Sequence, residues 1–251
     1  MRGLGWTAKD IGVDTFVRTV HTRAPSVRER RLSKLFPLFL SLANAPVLVV
    51  GAGKIAKHKA QSLLRCDALV TMVAPDACEE VRAMALAGKV VFYARAFREQ
   101  DVDGKRLVIA ATGDATINET VMRRCRALGV WVNVVDDPSR CDFHIPAVVE
   151  RGKVQVAIST GGASPALSRM LKEQLGGHLE PSLGAYVELV EQARGRIKQL
   201  MSDRGYEERR MANEAVLAAG ARERLAAGDE QGARRLIDEV VEEIRVQKVE
   251  G

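Results

Sequence analysis

Cysteine is scarce in this chain of 251 residues: four are present, Cys66, Cys78, Cys125 and Cys141, and no two are spaced as C-x-x-C. A disulfide framework or zinc site is therefore not expected, and free thiols in a reducing cytosol are. No clustered His, Cys and Asp set with metal-ligand spacing stands out either, so no built metal site is expected. No apolar run approaches the roughly 20 residues a membrane span requires. The N-terminus lacks the compact apolar core of a secretory signal. These absences lead us to expect a cytoplasmic protein without a membrane partner.

What is present is an ordinary globular composition, 47% hydrophobic and 28% charged, on a chain long enough to bury its own core. The net charge of +6 is concentrated. From Met1 to Lys34 there are eight Lys or Arg against three acids, a surplus of five. With weak periodicity and no aromatic or motif support for a nucleic-acid arm, residues 1–34 read as a basic, flexible, solvated extension. No nucleic-acid partner is expected.

From Pro46 the pattern is regular. "VLVVG", "LVTMVAP", "KVVFYAR", "RLVIAAT" and "VWVNVVD" read as strands, and helical periodicity fills most of the intervals. Asp76 and Gly88 bracket one helix, and Asp114 is placed to cap another. Nearly continuous apolar strands alternating with helices predict an α/β fold, a doubly wound parallel sheet covered on both faces. After Pro138 the composition changes: one hydrophobic strand, "VQVAIST", leads through Gly161-Gly162 to a helix announced by Ser164-Pro165. Serine as cap with proline at the first helical position is a strong start signal. Beyond Pro181 the chain reads as helix almost throughout.

Gly51-Ala52-Gly53-Lys54-Ile55-Ala56 fits G-x-G-x-x-G/A, directly after a strand and opening a helix. Gly51 permits the tight turn, Gly53 lets the backbone approach a pyrophosphate, and Ala56 allows close helix–strand packing. The phosphates would sit over the free N–H groups of the helix start. The acid that holds the ribose should follow about 20 residues later. Asp76 is in reach of that place and equally suited to capping the next helix. No Lys or Arg adjoins that strand tip to receive a 2′-phosphate, so NAD is expected over NADP.

The motifs "FPLFLSLANAPVLVVGAGKIAKHKAQSLL", "IAATGDATIN", "NVVDDPSRCDFHIPAVVERG" and "AISTGGASPALSRML" stand in order. Together they resemble the precorrin-2 dehydrogenase family, the NAD-dependent module of siroheme synthase, some members of which are also sirohydrochlorin ferrochelatases. The resemblance spans about residues 35–200. It implies a Rossmann-like domain over 35–137, a dimerisation segment over 138–180 and a helical C-terminal domain over 181–251. It also implies a homodimer that oxidises precorrin-2 to sirohydrochlorin with NAD, leaving Fe2+ insertion into the product open.

By the same resemblance Gly53, Lys54, Ile55, Pro75, Asp76 and Thr112 would hold the cofactor, with Gly51 added by the glycine-turn motif. Asp136, which ends "NVVD", would be the catalytic carboxylate. Residue chemistry agrees to this extent: the carboxyl end of a parallel strand is where a reactive group faces the cofactor crevice, and oxidation that removes one hydride and one proton can use a carboxylate base. Asp136 before "DP" is also a common turn composition. Thr160, Gly161 and Gly162, with His144, are the candidate substrate contacts; His144 is also a candidate acid or metal contact, or a structural histidine beside an apolar strand. Some members of that family carry serine where this chain has Thr160, which leaves a hydroxyl in place. Arg169, Lys172, Arg194, Arg196 and Lys198 could meet substrate carboxylates, or could be solvated helix faces. The competing reading, from another class, is an NAD-sensing regulatory domain without catalysis.

Overall fold

A computed structural model describes residues 35–250, with side chains to 247; the basic segment 1–34 lies outside the described residues. Five parallel strands form one sheet: β1 (Pro46–Val50), β2 (Leu69–Ala74), β3 (Val91–Ala94), β4 (Leu107–Ala110) and β5 (Trp131–Val134). Their order is β3-β2-β1-β4-β5. The chain winds outward through β1, β2 and β3, returns to the other side of β1, and continues to β5. This reversal between β1 and β4 leaves a crevice at the carboxyl ends of the strands.

Alternation of the side chains gives the sheet two cores. Val47, Val49, Val70, Met72, Leu107 and Ile109 pack beneath α1 (Lys54–Leu64) and α2 (Glu79–Leu86). Leu48, Val50, Val73, Val108, Ala110, Val132 and Val134 pack on the opposite face with α3 (Ala115–Leu128), through Val121, Met122 and Cys125. Burial of each such aliphatic side chain is worth roughly 1.5–3 kcal/mol, and strands buried on both faces are continuous apolar runs for that reason.

Two local expectations are corrected here. Asp76 does not cap α2; the N-cap is Cys78, whose amide is instead held by the Ala52 carbonyl at 3.0 Å. And the segment after Pro138 holds two strands rather than one. β6 (Ala147–Arg151) and β7 (Val154–Ile158) form an antiparallel hairpin, closed by a two-residue turn with Gly152 at φ 57 in the left-handed region such turns demand.

Ser164 caps α4 (Pro165–His178) by accepting from the Leu167 amide at 3.1 Å, with Pro165 at the first position. Arg151 crosses from the hairpin to the end of α4. Its guanidinium donates to the carbonyls of Gly176 at 2.7 Å and Leu179 at 3.1 Å, which otherwise lack helical partners. α5 (Leu183–Leu200), α6 (Tyr206–Ala218), α7 (Ala221–Ala226) and α8 (Glu230–Glu250) enclose a third core built on Leu189, Ile197, Val216, Ile237 and Val241. Among the described residues no helix is long and apolar enough to cross a membrane.

Candidate active site

Strand register brings the sequence-nominated residues to one edge of the sheet. Val50 stands beside Val73 and Ala110, and Ala110 beside Val134. The residues that follow therefore emerge together: Gly51, Gly53, Lys54 and Ile55 after β1, Pro75 and Asp76 after β2, Thr112 after β4, and Asp136 after β5.

The two glycines of the first turn do different jobs. Gly51 has φ 111, and a Cβ there would lie 2.4 Å from the Ala111 carbonyl oxygen; it is a packing requirement of the β1–β4 crossing. Gly53 has ordinary φ and nothing within 4 Å of its would-be Cβ. It borders open space over the start of α1. That helix has no side-chain cap and no acid in its first turn, so its leading amides and positive dipole end are available to an anion. α3 starts differently: the Asp114 carboxylate accepts from the amides of Thr116 at 2.8 Å and Ile117 at 3.2 Å. A dinucleotide pyrophosphate thus fits the start of α1, and the start of α3 is already filled by its own carboxylate.

Thr112 is fixed by a residue the sequence reading passed over. Asn118, 7% exposed, accepts from the Thr112 hydroxyl at 2.8 Å and donates to the Thr112 carbonyl at 3.1 Å. A polar side chain buried on an otherwise apolar stripe needs such partners, and it holds the β4–α3 loop against the crevice. The available signal was its position among the buried positions 118, 121, 122 and 125.

Asp136 is exposed and adopts φ 62, a left-handed conformation that is strained for a residue with a side chain. The chain then turns through Pro138 and runs back along the open edge of β5. The Asp142 amide donates to the Val132 carbonyl at 2.8 Å, and the Val134 amide donates to Cys141 Sγ at 3.2 Å. Buried Asn133 donates to the Phe143 carbonyl at 2.9 Å. This lacing delivers His144. Gly162 packs over both features: a Cβ there would come within 3.2 Å of Pro138 Cβ and 3.4 Å of His144 Cε1. The Gly161-Gly162 turn, both residues at positive φ, is thereby held beside the segment that starts at Asp136.

The hydroxyl of Thr160 accepts from the Ser164 amide at 3.2 Å and lies 3.1 Å from Ser168 Oγ. Thr160 thus clamps the turn to the first turns of α4. Of the five basic residues nominated on the later helices, Arg196 is engaged by Asp238 of α8; all five are exposed.

Comparison with known proteins decides the family. The family described as "Putative NAD(P)-binding" matches residues 38–147, and "Sirohaem biosynthesis protein central" matches residues 151–178. Siroheme synthase 1 of Aeromonas salmonicida is 38% identical over 203 residues, 80% of this chain and 43% of that protein. A siroheme synthase of Thioalkalivibrio sulfidiphilus is 36% identical over 207 residues, 82% of this chain and 42% of that one. The chain belongs to the precorrin-2 dehydrogenase and siroheme synthase family. A solved structure named SirC, precorrin-2 dehydrogenase, superposes with a TM-score of 0.66 at 25% identity, covering 82% of this chain and 100% of that one. The chain therefore spans less than half the length of the siroheme synthases it matches and the whole of that dehydrogenase.

Proposed function

We propose that this chain is an NAD-dependent dehydrogenase that converts precorrin-2 to sirohydrochlorin. The observation that carries the reading is the convergence at one sheet edge: an uncapped helix start for a pyrophosphate beside a strained, exposed carboxylate and a Gly-Gly turn packed on its flanking segment. NAD+ supplies the hydride acceptor. The residues of the chain do the rest.

Gly53 and the first amides of α1 hold the diphosphate, with Lys54 and Ile55 along its rim. Pro75 and Asp76 meet the adenosine ribose, and Thr112, fixed by Asn118, lines the path of the dinucleotide toward β4. Asp136 takes the proton released as the hydride leaves the macrocycle, so that one hydride and one proton depart together. Thr160, Gly161, Gly162 and His144 bound the substrate side, where exposed amides of the turn suit an anionic ligand. The regulatory reading is not favoured, since the second family match is to a sirohaem biosynthesis protein, the curated relatives are siroheme synthases and the matching solved structure is a precorrin-2 dehydrogenase.

Residues 35–137, 138–180 and 181–251 are proposed as the dinucleotide, dimerisation and helical domains, acting in the cytoplasm. A homodimer is supported by α4, which buries none of its residues and leaves Leu167, Met170 and Leu175 exposed beside the open edges of the β6–β7 hairpin. Light scattering on the purified chain reports the dimer directly; a monomer at micromolar concentration removes it.

The activity test is anaerobic incubation with precorrin-2 and NAD+, in which NADH and the sirohydrochlorin spectrum appear together. Cofactor binding without NADH over a broad pH range overturns the reading. Repeating the assay with Fe2+ shows through siroheme absorbance whether the same chain also inserts the metal.

A further inference from the structure

We propose that Arg82 is a ligand for the 2′-phosphate of NADP+, held in check by Asp76, so that this pair sets the choice between the two dinucleotides. The inference rests on the dinucleotide reading of the crevice.

In sequence Arg82 lies six residues from Asp76 and inside α2, so no basic residue stands beside the tip of β2. In the fold the first turn of α2 brings Arg82 to Asp76. The Asp76 carboxylate accepts from the Ala77 amide at 2.8 Å and from Arg82 Nη2 at 2.5 Å. The side chains are 82% and 60% exposed, respectively. An ion pair so open to water contributes little to stability, so its members exchange partners readily. Lys57 of α1 is engaged by Glu80 of α2 at 3.0 Å and is mostly covered.

Two ligands meet this pair differently. The free ribose hydroxyls of NAD+ donate to Asp76, and Arg82 keeps that carboxylate oriented. The 2′-phosphate of NADP+ is repelled by Asp76, yet a guanidinium is the side chain best suited to bind it through two parallel N–H donors. Arg82 can turn from carboxylate to phosphate with its charge satisfied in both states. The pair is close to neutral in sum, so the acid discriminates against the phosphate less than an isolated ribose carboxylate would.

The test is calorimetric titration of the full chain with NAD+ and with NADP+, in the wild type, D76N, R82Q and the double variant. Loss of one charge-assisted contact corresponds to about a tenfold change in affinity. R82Q is therefore expected to raise the NAD+ to NADP+ affinity ratio about tenfold, and D76N to lower it by a similar factor. The double variant should lose the NADP+ gain of D76N. If NAD+ binds and both single variants keep the wild-type ratio within about twofold, Arg82 has no such role. If neither dinucleotide binds the wild-type chain, the crevice reading fails, and the inference with it.

Discussion

Gly152 and Gly184 meet backbone to backbone, joining the tip of the β6–β7 hairpin to the first turn of α5. A Cβ on Gly184 would lie 3.0 Å from the Gly152 nitrogen and 3.1 Å from its Cα; one on Gly152 would lie 2.8 Å from the Gly184 Cα. Neither backbone can yield, since one is a hairpin turn and the other a helix. Gly184→Ala should cost about 1–3 kcal/mol by forced separation, despite a helix-propensity gain of up to about 1 kcal/mol. Gly195, exposed in the same helix with nothing within 4 Å of its would-be Cβ, is the control: Gly195→Ala should stabilise. Opposite shifts of the two urea midpoints are the expected result. A Gly184→Ala protein as stable as the wild type would show that the two backbones can part at little cost.

The glycines of the first turn should separate stability from binding. Gly51→Ala places a methyl 2.4 Å from the Ala111 carbonyl oxygen and should destabilise or unfold the sheet. Gly53→Ala meets nothing in the protein and should melt near the wild type. Its methyl occupies the space assigned to the pyrophosphate, so NAD+ affinity should fall about tenfold or more. Gly53→Asp adds charge repulsion and should abolish binding. Undiminished NAD+ affinity in Gly53→Asp would move the phosphate site elsewhere.

The doubly wound sheet was legible because strands covered on both faces are nearly continuous apolar runs, and the five were, apart from Thr71 in β2 and Asn133 in β5. The start of α4 was legible because a serine cap before proline is a local signal that packing rarely overrides. β6 was not, since "AVVER" offers three apolar residues and then two charges, and its pairing with β7 depends on a glycine turn that resembles a loop. The position of Asp76 misled for a different reason. Its carboxylate is claimed by Arg82 across the turn into α2, an i,i+6 contact no helical or strand period contains, and the helix starts two residues later at the Cys78 cap. Asn118 was within reach, being a polar residue inside an apolar 3.6-period stripe. The packing of Gly162 on His144 and Pro138 depends on a chain reversal along β5 and had no sequence signal.

Asp136 tests strain and chemistry together. Its φ of 62 is tolerated by asparagine better than by alanine, so Asp136→Asn should keep the turn and remove only the base. We expect turnover to fall by about 100-fold or more with NAD+ affinity within about twofold of wild type. Asp136→Gly should lose turnover equally while relieving backbone strain and gaining up to about 1 kcal/mol. Near-normal single-turnover rates in Asp136→Asn would take this carboxylate out of the mechanism.

Acid should unfold the dinucleotide domain through Asp101. Both terminal nitrogens of Arg95 donate to its carboxylate, at 2.8 and 2.6 Å, and the Arg98 amide donates at 2.9 Å. The Arg95 guanidinium, chiefly, holds this carboxyl below the usual carboxylate range despite partial burial. Glu80, pulled down to about 2 first of all by its hydrogen bond from Lys57, acts with the same sign. Because the folded-state pKa lies below the unfolded one, the stabilisation is complete above the unfolded value near 4 and is lost as pH falls through the folded value. Urea midpoints should therefore be flat near neutrality and drop below about pH 4. Asp101→Asn should cost about 1–3 kcal/mol at neutral pH and show a shallower acid decline. An unchanged acid profile in that variant would assign the transition to other carboxylates.

Three of the four thiols should react in an order set by burial. Cys125 lies on the buried face of α3, and burial first, then the Asp142 charge, pushes its thiol up to about 12. Cys141 is also raised, mainly by burial, and its sulfur is occupied by the Val134 amide. Since the thiolate is the reactive form, neither should alkylate at neutral pH while the fold is intact. Cys66 is exposed and should be modified first. Mass spectrometry of the native chain after brief iodoacetamide treatment should find the label at Cys66, with Cys125 labelled only after denaturation. Early labelling of Cys141 would mean that the segment lacing β5 opens readily. Loss of NAD-dependent turnover in step with that label would then tie the lacing to the placement of Asp136 and His144.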